Sequence, residues 1–333
     1  MQAGSGMGGT FDVVVIGQKG RLEYEVLLFA ASLRRADPGF EGRLIVAEPA
    51  PGPMWAEDPR MADPDVRAEL ARLDAEILTV PARFGDAYPQ GTRADALSAL
   101  PPGRPFLCLD SDSVVLAPLD LSPGTFATPT ASMRRENTWP VEELYGPTRG
   151  EVWRTLYDRA GLDLGPTLDT AWPDRHWERY LYLSAAWTLG PCPATFGALW
   201  ARRMAEIDAD PGPALACQPL RPWLDQAVLP LVVTELGGGR PGPDAARLDG
   251  GIACHWRVLP LAYAREDDRV IAAIEETAAP NRIKRILKRY EPMRRTIYQG
   301  RGARARRMFD RANLPPTEAM IRKRLKRRNL WMR

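Results

Sequence analysis

The segment best equipped for chemistry is Phe106-Leu107-Cys108-Leu109-Asp110-Ser111-Asp112-Ser113, an apolar run that ends in two carboxylates spaced i, i+2. On an extended backbone that spacing puts both carboxylates on one side. If the run is a strand of a parallel sheet, its carboxyl end lies where open α/β sheets bind ligands. Two adjacent carboxylates repel each other unless a cation lies between them. Mg2+ and Mn2+ accept carboxylate oxygens and bridge readily to phosphates. The pair therefore suits a metal–diphosphate centre. The plainer reading is a strand end followed by acidic loop residues.

Other residues fit the same chemistry, each with a bland alternative. His255 is one of two histidines and follows a short apolar run; it is either a ligand or a structural hydrogen-bonding group. His176, in Asp174-Arg175-His176-Trp177, is read as structural. Arg93 precedes the helix that leads to the acidic segment, where an arginine binds phosphate through two parallel hydrogen bonds or is simply solvated. Asp225-Gln226 looks like a helix start with its carboxylate at the positive end of the dipole. Gly17-Gln18-Lys19-Gly20 lacks the GxGxxG spacing of a dinucleotide fingerprint. Glu48, at the end of the second expected strand, is the residue that would favour a nicotinamide-dependent oxidoreductase.

The elements that must hold these residues follow from the apolar pattern. Residues 11–17 (FDVVVIG) read as a buried strand, 22–35 as a helix and 43–47 as a second strand. That βαβ opening predicts a parallel sheet with a right-handed crossover. A helix over 63–74 has Asp63 as N-cap and Pro64 at its first position. A strand over 75–80, a helix over 94–100 and a strand over 105–109 come next. Residues 123–173 are expected to be mostly irregular. Beyond them come a strand over 180–189, a helix over 194–207 and a segment over 224–236 running from helix into strand. A loop over 237–242, a strand over 252–257 and helices over 266–277 and 282–288 complete the body. No internal repeat is visible.

In order and approximate spacing over residues 11–260, the chain resembles the GT-A glycosyltransferases, closest to glycosyltransferase family eight and its bacterial relatives. Asp110 and Asp112 match that family's DxD motif. Tyr182-Leu183-Ser184-Ala185-Ala186 loosely matches its Phe-Asn-Ser/Ala-Gly strand, Asp225-Gln226 its Asp-Gln pair, and His255 its late metal-binding histidine. The chain departs from the motifs in lacking the asparagine and the glycine, and Arg257-Val258-Leu259-Pro260 stands where a Lys-Pro-Trp often follows. The resemblance implies an α/β fold of GT-A (Rossmann-like) type, a mainly parallel sheet flanked by helices, over residues 11–275. It implies a retaining transferase with a UDP- or GDP-sugar donor and Mn2+, or Mg2+, held by Asp110, Asp112 and His255. Val15, Gly17, Gln18, Arg93, Asp110 and Ser111 would line the donor site, and Asp225 and Gln226 would contact the sugar. Arg134, Arg135 and Trp139 lie where such enzymes shape the acceptor site. The acceptor would be a glycan, a lipid or a protein. A non-catalytic protein on a degenerate GT-A fold is the first competing reading, and the oxidoreductase the second.

A chain of 333 residues with 45% hydrophobic residues is ordinary for a globular protein. Residues 1–10 are small and polar, so they are expected to form a loose extension without a signal peptide. Cys108, Cys192, Cys217 and Cys254 form no CxxC pair, which suggests a reducing, cytoplasmic setting. The net charge of +3 conceals an asymmetry. Residues 281–333 carry 19 Lys and Arg against three acids, a net of +16, which leaves the rest with 26 bases and 39 acids, a net of −13. A basic helical extension over 276–333 therefore implies an anionic partner. Candidates are an anionic membrane surface at the inner face of the membrane, the acidic body itself and, last, nucleic acid, for which no recognised module is present.

Overall fold

The computed structural model describes residues 10–134, 139–142 and 144–332. The expected N-terminal extension before Thr10, and Arg135 of the expected acceptor loop, lie outside the described residues. The βαβ opening is present. Strands β1 (Asp12–Ile16), β2 (Leu44–Pro49), β3 (Ala75–Val80) and β4 (Phe106–Leu109) are parallel and are joined through helices α1 (Arg21–Ala36), α2 (Pro64–Arg72) and α3 (Thr92–Ala99). The chain then forms β5 (Ser113–Val115), β6 (Thr130–Ser132), helix α4 (Arg149–Ala160), β7 (Ser184–Gly190), helix α5 (Pro193–Ala209) and β8 (Ala253–His255). The main sheet has the order β3-β2-β1-β4-β7-β6, with β7 and β6 antiparallel, and β5 pairs with β8 in a separate two-stranded ribbon. This is the mainly parallel sheet between helices that the sequence led us to expect.

Alternation along the strands assigns the two faces of the sheet. Val13, Val15, Leu44, Val46, Leu107 and Leu109 belong to one apolar layer with α1. Val14, Ile45, Phe106 and Cys108 face the other, with α3, α4 and α5. A side-chain period of two makes this partition automatic once the strands are parallel and buried on both sides.

Three expectations need correction. The segment expected to turn from helix into strand is helical throughout, as Leu224–Glu235. It is apolar on nearly every side, so its pattern does not separate the two periods, and packing against α5 decides. The expected irregular stretch contains α4, whose Thr148 and Glu151 form a reciprocal capping box and which ends at Gly161 in the left-handed conformation (φ 69°). The strand expected from Tyr180 begins only at Ser184, although Tyr180 to Leu183 are buried. The basic C-terminal residues form further helices, among them Asn281–Leu287, Arg301–Arg307 and Glu318–Arg327. Their apolar residues Ile283, Ile286, Leu287, Ala305, Ile321 and Leu325 share one core with α1. No helix among the described residues is long and apolar enough to cross a membrane.

Candidate active site

Strand β4 delivers the acidic segment to the carboxyl edge of the sheet. Asp110 continues on the Phe106–Cys108 side, and its N–H donates to Ala186 O at 2.9 Å, tying it to β7. The backbone then turns at Ser111-Asp112 into β5, so the carboxylates converge through a turn and not along an extended strand. The ribbon completes the group. Ser113 pairs with His255 across β5 and β8, and the N–H of Trp256 donates to Asp112 O at 2.9 Å. A residue more than a hundred positions away is thereby set beside Asp112. His255 Nε2 lies 3.0 Å from Asp112 Oδ1 and 3.5 Å from Asp110 Oδ2. Ligand atoms of Asp110, Asp112 and His255 all fall within 4.8 Å of one another.

A cavity of about 520 Å³ opens over this group. Arg93, at the first turn of α3, reaches it with Nη2 2.7 Å from Asp110 Oδ1 and Nη1 3.3 Å from Asp225 Oδ2, and donates to Ala185 O at 3.2 Å. Asp225 is 1% exposed. Its Oδ1 accepts the Tyr88 hydroxyl at 2.5 Å, its N–H donates to the same hydroxyl at 2.9 Å, and its carbonyl accepts Trp200 Nε1 at 3.0 Å. Gln226 Oε1 accepts the Tyr182 hydroxyl at 3.0 Å. On the opposite wall Arg21, at the start of α1, holds Glu25 one turn on at 2.8 Å and approaches Asp112 Oδ2 at 3.5 Å.

Burial sets the electrostatics. It pushes the Asp110 carboxyl above its ordinary range, against the pull of Arg93 and His255. Burial opposes the ionisation of Asp112 too, but His255, Arg21 and Arg93 together outweigh it and the carboxyl falls below its ordinary range. Burial likewise works against the charge on His255, and Asp112 with Asp110 reverses the balance, so its pKa rises. The same contest, won by Asp110 and Asp225, raises Arg93. Glu25 is pushed up by burial and then by the neighbouring charge on Asp112. Two carboxylates of opposite shift with an imidazole between them form a donor set that fits a hard divalent cation, which would replace proton sharing by coordination.

The structure brings most of the sequence-derived residues together. Asp110, Ser111, Asp112, His255, Arg93, Gln18, Asp225 and Gln226 all line the cavity. Val15 and Gly17 do not. Val15 is fully buried in the α1-side core, and the space beside Gly17 is filled by Met61 and Val46; Ile16 and Gln18 present themselves instead, because β1 alternates. The Ser111 hydroxyl is turned toward Glu25 Oε2 at 3.2 Å. Glu48 is no ribose ligand: it is 2% exposed and bonds Met61 N at 3.1 Å, Arg67 at 2.6 Å and Thr79 at 3.2 Å. His176 stacks on Trp172 at 4.0 Å, away from the cavity-lining residues. Sequence reasoning missed Arg21, Tyr88 and Arg257. Arg21 opens a helix just after a strand, and Arg257 follows His255 by two residues where the family's Lys-Pro-Trp would begin, which are readable signals; nothing local marks Tyr88.

Among solved structures the chain is similar to the galactosyltransferase LgtC, in complex with donor and acceptor sugar analogs (TM-score 0.46, 14% identity, covering 82% of this chain and 99% of that one). It is also similar to the apo structure of the bifunctional glycosyltransferase WbbM (TM-score 0.42, 14% identity, covering 86% of this chain and 53% of that one). At that level of likeness neither bears on what this chain does. No curated protein matches it. Residues 13–237, more than half the chain and including the DxD strand, Arg93 and Asp225-Gln226, match the family model of the Rhodobacterales glycosyltransferase domain, and the chain belongs to that family.

Proposed function

We propose that this glycosyltransferase binds a nucleoside-diphospho-sugar, with UDP or GDP as the nucleotide, in the cavity over Asp110, Asp112 and His255. The observation that carries this reading is the convergence of these three side chains with Arg93 at the carboxyl edge of β4. Two carboxylates and one imidazole suit Mn2+ better than Mg2+, which prefers oxygen throughout. Bound there, a divalent cation would offset charge developing on the diphosphate leaving group. The protein's own part is positional. Arg93 is held by Asp110 and Asp225, and aims a permanent positive charge at the same region. Asp225 is committed to Tyr88 and Arg93, so we read it as the anchor of Arg93 and leave the sugar contact to Gln226. Retention at the anomeric carbon follows from the family-eight resemblance, which the motifs alone support.

Thermal shift with UDP, GDP and NADH, each with and without Mn2+, tests the reading. Manganese-dependent stabilisation by a nucleoside diphosphate is expected. Stabilisation by NADH alone would overturn it. Release of nucleotide from a panel of donor sugars then identifies the sugar, and binding without release would mark a non-catalytic protein. For the acceptor, we propose a glycan, lipid or protein presented near an anionic membrane surface, with the protein peripheral at the inner face. Support comes from the exposed cations Lys323, Arg324, Lys326, Arg327 and Arg328 on and just after the C-terminal helix.

A further inference from the structure

The C-terminal helix Glu318–Arg327 is strongly basic, yet its first residue is an acid whose side chain is only 9% exposed. Glu318 Oε2 accepts from Arg257, 61 positions earlier, and lies 3.4 Å from Arg265 Nη1; Oε1 accepts from Arg322, one turn on, at 2.7 Å. A buried carboxylate is costly unless it is paired, and three arginines so close together repel unless an anion joins them. Glu318 is thus the carboxylate these three arginines share, although Arg265 also pairs with Glu266 at 2.9 Å.

Arg257 links this cluster to the donor cavity. It lines that cavity two residues after His255, and its N–H lies 3.4 Å from Asp112 O. Its φ of 63° is left-handed, a conformation that costs a non-glycine residue about 1 kcal/mol or more and persists where surrounding contacts impose it. With Arg21, Tyr290 and Met332 it also lines a smaller cleft on the C-terminal side. The Arg257 side chain thus stands at the junction of the cavity and the C-terminal helices, and a residue of the last helix holds it there.

We propose that Glu318 is a positioning residue for donor binding, holding Arg257 beside the Asp110–Asp112–His255 group so that the C-terminal helix forms part of the donor site. This rests on the reading of the cavity as a nucleoside-diphosphate site. Losing the carboxylate removes the anion that joins Arg257 to the last helix, while Arg265 keeps Glu266 at 2.9 Å; Arg257 then swings away from the diphosphate position and the nucleoside end of the cavity is untouched. The expected signature is a loss confined to the phosphates.

Isothermal titration of the full chain with UDP, GDP, uridine and guanosine, in MnCl2, tests this in wild type, Glu318→Gln, Arg257→Ala and the double variant. Glu318→Gln should weaken diphosphate binding roughly tenfold, the scale of a charge-assisted contact, and leave nucleoside binding unchanged. Arg257→Ala should do the same, and the double variant should lose no more than Arg257→Ala alone. If Glu318→Gln does not fold, Glu318→Asp keeps the charge but shortens the arm, and the same split is expected. Wild-type affinity in a folded Glu318 variant, equal losses for nucleoside and diphosphate, or additive losses in the double variant would each overturn the proposal. A wild type that binds neither UDP nor GDP overturns the cavity reading itself, and the proposal with it.

Discussion

At the scale of residues, the site is a set of charges that stabilise one another. Asp112 is 13% exposed and is held by His255 and Arg21, so removing its charge costs more than an exposed strand-end residue would suggest. We predict that Asp112→Asn folds, loses about 1 kcal/mol of stability and loses manganese-dependent nucleotide binding; unchanged manganese dependence in titrations would exclude Asp112 as a ligand. Tyr88→Phe should be costlier, because it deprives a carboxylate 1% exposed of its hydroxyl donor. A loss of about 1–3 kcal/mol in urea unfolding is expected, and one within experimental error would show that Arg93 alone suffices. Away from the site, Asp244 accepts from the Ser122 N–H at 2.9 Å, the Thr125 hydroxyl at 2.5 Å and Arg247 at 2.9 Å. Burial opposes its charge, but these bonds hold its pKa down to about 2, from 3.8. A depressed carboxyl contributes stability that is complete above the unfolded pKa, and this is lost as pH falls from about 4 through about 2. With a third of the side chain exposed, solvent screening reduces the contribution to about 1 kcal/mol. Asp244→Asn should therefore lower the melting temperature at pH 7 and leave it nearly unchanged at pH 2; an equal drop at both would refute the assignment.

At the scale of elements, two contacts carry the site. The β5–β8 ribbon sets His255 opposite Ser113, and so fixes the histidine against the acidic turn. The α3–α5 contact fixes Arg93. Gly197 of α5 lies directly against the α3 backbone: a Cβ there would fall 2.3 Å from Ser98 N and 2.6 Å from Ala94 O. Backbone cannot swing aside as a side chain can, so the helices must separate. Gly197→Ala should cost about 1–3 kcal/mol in urea unfolding and, by shifting α3, weaken nucleotide affinity as well. Wild-type stability would mean that the helices separate at no cost; lost stability with intact affinity would show that Arg93 does not depend on this contact.

At the scale of the whole molecule, the basic C-terminal segment is both packed and exposed. Arg289 pairs with Asp63 and Asp65 at the start of α2, and Tyr290 stacks on Tyr24 of α1 at 5.4 Å. Part of the positive charge is thus spent on the acidic body. Cutting the chain before Asn281 would strip apolar cover from α1, so a truncation cannot separate adsorption from folding. Replacing Lys323, Arg324, Lys326, Arg327 and Arg328 by Glu leaves the buried Ile321 and Leu325 in place. That variant should melt close to wild type and lose sedimentation with anionic vesicles, while wild type binds them in a salt-sensitive way, each base contributing about 1 kcal/mol near the surface. Vesicle binding equal in both proteins would remove the case for a membrane-proximal acceptor.

The amino-acid sequence carries the βαβ opening, the sheet edge and the acidic pair, because these are written in local periodicity and in side-chain types that admit few other uses. It marked His255, Arg93 and Asp225-Gln226 as candidates, but only resemblance joined them into one site. Capping signals at Thr148, Glu151 and Gly161 were present and legible, though the proline and glycine around them obscured α4. Residues 224–236 were not legible, since an all-round apolar segment satisfies a period of 2 and one of 3.6 equally well. Tertiary structure alone decided that Val15 faces the core and Gln18 the cavity, that Asp225 is taken by Tyr88 and Arg93, and that Glu318 reaches Arg257. Each of these depends on which distant side chain fills a given space, and pairings made across 61 to 137 positions leave no trace in local spacing.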